Sequence, residues 1–323
     1  MDKLSAMATF VKVVETGSFT RAAMAMGLPK ARISQRITDL ERVLGVRLLH
    51  RTTRALGLTE EGRAYFQRCQ QILGEIDELE GALHGAAPIG KLRVEALASI
   101  ARWILAPELP DFQARFPGIV LRLGSGDRIM NLFEEGIDCA IRGGALGDSS
   151  LVARHVCDVQ LGLYAAPGYL QASAAVEHPA DLRHHQRITW FNARGGGHFA
   201  WRLQSDREDI EVAGGECLVC EDPEVAIAAC LAGSGICPGA PFAVESYVES
   251  GALQPVLAEW HFAPRPIHIL YPSGKHLSSR VKSFVDWSFD VMRASPSLAK
   301  TPLALAHQFG PSRAPPSGSL AAP

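Results

Sequence analysis

The chain has 323 residues, 47% of them hydrophobic and 20% charged, the makeup of a globular protein with room for two or three domains. No run of about 18 uncharged apolar residues occurs, which argues against a membrane span, and the opening MDKLSAMATF interleaves acid and base with apolar residues unlike a leader, so a cytoplasmic protein with no membrane partner is expected. The formal net charge of −2 would argue against a nucleic-acid partner, but residues 1 to 60 hold ten Lys and Arg against five acids, a basic module on a larger acidic body.

In chain order, Leu4, Met7, Val11 and Val14 share one face of a first helix that stops at Gly17. Ser18 suits the N-cap of a second helix, FTRAAMAM, ending at Gly27. Pro29 opens a third, with Ile33, Ile37, Leu40 and Leu44 at helical spacing. Ala23, Gly27 and Ile33 then fit a helix-turn-helix: a small residue where helices touch, a glycine for the turn, an apolar plug beyond it. Lys30, Arg32 and Arg36 crowd the start of the third helix, where the macrodipole is already positive and each cation costs a few tenths of a kcal/mol unless an anion arrives.

With the apolar row inward, a turn of about 100° per residue puts Ala31, Gln35 and Thr38 outward and Arg32 and Ser34 on the flanks. Those types suit a major groove: Gln pairs with adenine, Ala meets a thymine methyl, Arg32 takes guanine or phosphate, and Arg36, nearer the core, suits phosphate. The awaited anion is the DNA backbone, and double-stranded DNA is the expected partner.

VRLLHRTTRALGLT reads as a β-hairpin wing whose Arg51 and Arg54 would meet phosphates or the minor groove. Thr59 caps a long helix from Glu60, in which Tyr65, Cys69, Ile72, Ile76, Leu79 and Leu83 form a heptad-like seam for dimerisation; the alternative is packing on its own domain. The small-residue stretch HGAAPIGK is a hinge. Beyond it, KLRVEAL, IVLRLG, DCAIRGG and LGLYAA read as strands, with RWILAPELPDFQARF and MNLFEEG as helices between them. A second set follows: RITWF, the CLVC strand, the helix PEVAIAACLAG, IHILYP and the helix LSSRVKSFVDWSFDVMRA. The fold class is therefore multi-domain α+β, divided into 1–59, 60–85, a hinge at 86–91, an α/β part at 92–294, and a Pro-rich tail, 295–323, expected to be disordered.

Catalytic and cofactor motifs are wanting: no G-x-x-x-x-G-K-[ST], H-E-x-x-H or G-x-S-x-G occurs, so no catalysis, cofactor or metal is expected. The seven cysteines are odd in number and scattered, as for reduced thiols, and Cys217-x-x-Cys220 reads as strand. RGGGHF at 194–199 reads as a surface turn, and the adjacent His184 and His185 as solvated. Two rivals remain, a metabolite-binding protein with a nonspecific nucleic-acid-binding domain, and an enzyme with an appended DNA-binding module.

The run FVKVVETGSFTRAAMAMGLPKARISQRITDLERVLGVRLLHRTTRALGLTEEG resembles the N-terminal domain of LysR-type transcriptional regulators, through GSF-x-x-AA, LE-x-x-LG, R-x-x-R and LT-x-x-G. EEGIDCAIRGG and CLAGSGI carry a weaker likeness to about residue 293; Pro29-Lys30 stands where many members have Ser-Gln, and Asn131 where Asp is frequent. The resemblance implies a winged helix-turn-helix, a linker helix for dimerisation and a two-lobed effector domain similar to periplasmic binding proteins. It further implies a homodimer or homotetramer on an interrupted inverted repeat, a small-molecule effector in the cleft between lobes, and RNA polymerase as a candidate partner. Carried onto this chain, the cleft candidates are Ser99, Arg142, Gly143, Trp190 and Asp222, a set suited to an anionic effector; Ser99 and Asp222 could instead cap helices, and Arg142 could pair with an acid.

Overall fold

The computed structural model describes residues 2–51, 56–83, 87–126, 132–144, 151–190, 199–273 and 277–309. Arg54, Asn131, the glycines of RGGGHF and the tail from 310 onward lie outside the described residues, as do the side chains of Arg51, Leu79 and Leu83.

Three helices build the N-terminal core. Asp2 caps α1 (Lys3–Thr16) by accepting from the Ser5 amide at 3.3 Å, and Ser18 caps α2 (Phe19–Met26) by accepting from the Arg21 amide at 3.4 Å. Gly27, at φ 63°, takes the left-handed conformation that turns the chain into α3 (Lys30–Leu44). Ala23, Ile33, Ile37 and Leu40 are buried against Met7, Phe10 and Val13. The face expected on α1 is rotated: Leu4 is exposed and Phe10 fully buried, because Phe10 packs against Tyr65 and Phe66 of the long helix at 5.7 and 6.3 Å between ring centroids.

The wing pairs β1 (Leu49–Arg51) antiparallel with β2 (Leu56–Leu58), Leu49 opposite Leu58. Thr59 Oγ1 then caps α4 (Glu60–Leu83), accepting from the Gly62 amide at 2.9 Å while donating to the Arg47 carbonyl at 2.7 Å. A side chain at Gly62 would put its Cβ 1.9 Å from the Leu48 carbonyl oxygen, so glycine is what lets wing and helix touch.

The expected seam divides along α4. Cys69 is fully buried and Tyr65 packs beside it in the N-terminal core, where burial lifts the thiol to about 11 and the phenol to about 12. These two residues therefore pack within their own domain, because the first turns of α4 lie against α1, whereas Ile72 is 41% exposed and Ile76 half-buried.

From β3 (Gly90–Ala96) the chain enters a two-lobed body. α5 (Ala98–Ile100) runs through a π turn (Ala101–Leu105) and a 3-10 turn (Ala106–Glu108) into α6 (Leu109–Arg115). The single helix expected there is broken because Pro107 and Pro110 lack the amide donors it would need. β4 (Ile119–Ser125), α7 (Leu132–Glu135), β5 (Cys139–Gly143) and β6 (Leu151–Val159) continue the first lobe.

The second lobe takes β7 (Gly162–Ala165), α8 (Pro167–Ala172), β8 (Arg187–Trp190), β9 (Trp201–Gln204), β10 (Asp209–Val212), β11 (Glu216–Cys220), α9 (Pro223–Leu231), β12 (Ile236–Gly239), α10 (Pro241–Glu249), β13 (Gln254–Val256) and β14 (His261–Phe262). β15 (Arg265–Pro272) and α11 (Ser279–Ala294) return to the first lobe, and α12 (Pro302–Phe309) ends the described chain. The sheets run β4-β3-β5-β15-β6 and β11-β8-β12-β7-β13, with β10-β9-β14 beside the second. IHILYP, grouped by sequence with the second set, thus lies between β5 and β6 of the first lobe, antiparallel to both.

Over residues 295–309 the expected disorder of the tail is corrected, since a 3-10 turn (Pro296–Ala299) and α12 are ordered there, with Leu298 and Leu305 buried against the body and Lys300 paired with Glu245 of α10. A chain ending at Ser295 should melt earlier in thermal denaturation. The lost burial of those two leucines costs about 1.5 to 3 kcal/mol each, and an unchanged melting curve would contradict this packing.

Candidate functional site

Three features of α3 determine what its outer face presents. Burial of Ile33, Ile37 and Leu40 turns Ala31, Arg32, Gln35 and Thr38 to solvent. The Pro29 cap supplies no side-chain acceptor for the first amides, so the helix begins with its positive end uncovered and Lys30 exposed on it. Gln35 Nε2 donates to Asp39 Oδ1 at 3.0 Å in an exposed hydrogen bond, and Arg42 pairs with the same carboxylate. Ser34 is half-buried, and Arg36 turns toward α1, its Nη1 donating to Thr9 Oγ1 at 3.3 Å. Arg51 ends β1, at the tip side of the wing.

A carboxylate that sequence reading assigned no role joins α3 to the wing. Glu41 is buried, and its Oε1 accepts from the Leu48 and Leu49 amides at 2.9 and 3.2 Å. Its signal was visible as the acid of LE-x-x-LG at a position facing the core.

Between the lobes lies a cavity of about 70 Å³. The first lobe contributes Leu97, Ser99, Ile100, Gly143 and Ile267, the second Trp190, Pro223, Ile227 and Phe242, and the crossing segments Val159, Leu161 and Arg265. Of the five expected residues, the structure brings Ser99, Gly143 and Trp190 to the cavity. Arg142 does not line it, because successive side chains on β5 point to opposite faces; its Nη1 donates to the Gly126 and Ile141 carbonyls at 3.1 and 3.3 Å. Asp222 caps α9, accepting from the Glu224 amide at 2.9 Å, while its neighbour Pro223 forms the wall.

The lining cation that sequence reading missed is Arg265, whose guanidinium carbon lies 5.8 Å from the Phe199 ring centroid. In sequence it is one arginine between two prolines, with no periodicity to mark it as inward. The wall around it is mainly aliphatic and aromatic, so a ligand there meets one guanidinium, the Ser99 hydroxyl and a water-poor surface.

His185, expected to be solvated, is 4% exposed with Nδ1 at 3.3 Å from the Tyr169 hydroxyl oxygen; burial holds its pKa below the usual imidazole range. The thiols of Cys217 and Cys220 point at the β8 carbonyls of Arg187 and Thr189, both at 3.5 Å, as strand packing requires. Among the described residues no cluster of His, Cys, Asp and Glu could hold a metal ion, and no helix is long and apolar enough to cross a membrane.

Residues 4–63 match the family described as bacterial regulatory helix-turn-helix protein, lysR family, and residues 85–293 match the LysR substrate binding domain. A helix-turn-helix transcriptional repressor of Pseudomonas aeruginosa is 58% identical over 312 residues, covering 96% of this chain and 98% of its own. The solved structure of CrgA, a LysR-type regulator of Neisseria meningitidis, is 33% identical and covers 89% of this chain and 98% of its own, with a TM-score of 0.57. The full-length structure of AphB, a virulence activator of Vibrio cholerae, is 28% identical with the same coverage and TM-score. The chain therefore belongs to the LysR family of transcriptional regulators: a DNA-binding protein with an N-terminal helix-turn-helix, controlled by a small-molecule effector and built to act as an oligomer.

Proposed function

We propose that the protein is a cytoplasmic repressor, without catalytic activity, that reads an interrupted inverted repeat through α3 and blocks RNA polymerase until an anionic effector occupies the inter-lobe cavity. The observation that carries the DNA reading is the outward face of α3: Ala31, Arg32, Gln35 and Thr38 exposed over a fully buried apolar row, with Lys30 at an uncapped positive end. Arg32 and Gln35 read base edges with Ala31 and Ser34 beside them, and Lys30, Arg36, Arg51 and Arg54 meet phosphates. The sign of regulation rests on the 58% identical relative named a repressor. Arg32→Ala should weaken the specific site by about 1 to 3 kcal/mol and reduce discrimination against random duplex in competition binding. Equal losses on both duplexes would favour the rival reading, a nonspecific nucleic-acid module on a metabolite-binding protein.

Dimerisation is assigned to the later part of α4, from Ile72 through Ile76 to Leu79 and Leu83. Ile72→Glu places a carboxylate at a position already exposed in the protomer, so the fold tolerates it, while a symmetric seam would bury it beside its own copy. Sedimentation should show a smaller oligomer, and an unchanged oligomer with unaltered stability would move the interface elsewhere.

In the cavity, Arg265 is assigned to the effector's charge, Ser99 and the Gly143 backbone to polar contacts, and Trp190 to its apolar part. Arg265→Ala should leave the DNA footprint of the free protein intact and weaken the thermal stabilisation given by members of a panel of small organic acids. Losing a charged hydrogen bond of about 1.5 to 3 kcal/mol shifts half-saturation roughly ten- to a hundredfold. Arg142→Ala, by contrast, should leave that response in place.

A further inference from the structure

Beside the cavity, a polar cluster spans the two lobes. Trp103 Nε1 in the first lobe donates to Glu224 Oε1 on α9 of the second at 3.1 Å, and Arg102 Nη1 lies 3.0 Å from Oε2 of the same carboxylate. The Arg102 guanidinium rests over the Trp103 ring at 4.8 Å, and that ring stands edge-on to Tyr247 of α10, with centroids 6.0 Å apart and planes at 85°. Glu224 keeps only 14% of its side chain exposed, so its bond from Trp103 is made in a water-poor setting, while Arg102, 57% exposed, adds a solvated charge at the rim.

Two features set this apart from an ordinary surface ion pair. Arg102 and Trp103 sit in the π turn Ala101–Leu105, a rare element that shifts side-chain direction within a helix and recurs at functional sites. The cluster also adjoins the cavity on both sides: Ser99 and Ile100, just before the π turn, line one wall, and Pro223 and Ile227, flanking Glu224, line the other. Any separation of the lobes at this edge of the cavity must break the Trp103 and Arg102 contacts to Glu224.

We propose that Arg102, Trp103 and Glu224 form an inter-lobe clasp that holds the cleft closed and so fixes the fraction of regulator ready to take its effector. Apparent affinity is the intrinsic affinity scaled by the fraction of protein in the binding-competent form, so a clasp that raises that fraction lowers the effector concentration needed for response. This consequence rests on the reading of the cavity as the effector site, whereas the clasp itself can be tested without any effector.

The test is hydrogen–deuterium exchange of the full-length wild type, Trp103→Phe, Glu224→Ala and the double variant. Trp103→Phe keeps an aromatic ring against Tyr247 and deletes the indole donor along with part of the surface under Arg102, so it remains informative should Glu224→Ala fold poorly. Each single change should speed exchange roughly five- to tenfold in backbone on both walls of the cavity, including the wall opposite the substitution, and the double variant should match the larger single effect. Peptides of β9 and β10, away from the cleft, should exchange as in wild type. The Trp103 component of the fluorescence, obtained by difference from Trp103→Phe, should shift to the red in Glu224→Ala. Unchanged exchange across the cleft, additive effects in the double variant, or an unmoved Trp103 emission would each overturn the clasp. If the clasp stands while organic acids stabilise wild type and Arg265→Ala alike, the effector-site reading fails and the clasp survives it.

Discussion

Glu41→Ala is expected to lower the stability of the N-terminal domain by about 3 kcal/mol and to remove specific DNA binding with it. The Glu41 carboxylate is buried and is the acceptor for two consecutive amides, Leu48 and Leu49, at the point where the chain leaves α3 and enters the wing. Alanine leaves both amides buried without that acceptor, at about 1 to 3 kcal/mol each. Arg47 Nη1 lies 4.0 Å from the other carboxylate oxygen, but its side chain is 74% exposed, so that pair adds little. Leu48 and Leu49 are core residues, and Leu49 also begins the wing; loosening their amides misplaces the hairpin relative to α3. Glu41→Gln keeps one acceptor and should recover most of the loss. Thermal melting followed by binding to one duplex separates the cases, and an alanine variant with wild-type melting would show that the two amides find other partners.

The second large effect is on salt. If Lys30, Arg36, Arg51 and Arg54 of each protomer meet phosphates, a dimer neutralises about eight, and affinity should fall roughly 10⁴-fold between about 50 and 200 mM salt. Lys30→Ala should reduce the log–log slope by about 2 for a dimer, one contact per recognition helix, while leaving discrimination between duplexes intact. A slope near zero would remove the backbone contacts from the account.

The N-terminal domain was legible because its punctuation is local. Gly17, Gly27 and Gly45 end the helices in left-handed turns, Ser18 and Thr59 cap the next ones, and the buried row on α3 fixes which face points outward. The effector domain was legible only in class. The β9–β10 pair alternates as strands do, yet the sequence reading passed over it; β6, LVARHVCDV, has no regular alternation, and β12, Ile236–Gly239, is four buried residues with a proline and a glycine and carries no strand signature. The lobe to which β15 belongs is settled by two non-local ladders that no local pattern encodes. The same limit explains the exchange of Arg142 for Arg265: a cation after a strand looked inward, but pleat parity turns it away from the cavity, and the crossing strand supplies the charge instead. Cys69 fitted a heptad seam because the side of α4 that packs on α1 repeats with a similar period.

The central claim, sequence-specific recognition of DNA through the outer face of α3, is tested most directly by competition binding between the intergenic DNA beside the protein's own gene and random duplex of equal length at fixed salt. Specific recognition requires a preference of roughly 10³ or more for a footprinted inverted repeat, reduced roughly ten- to a hundredfold in Arg32→Ala. Equal affinity for the two duplexes, unchanged by that substitution, would contradict it.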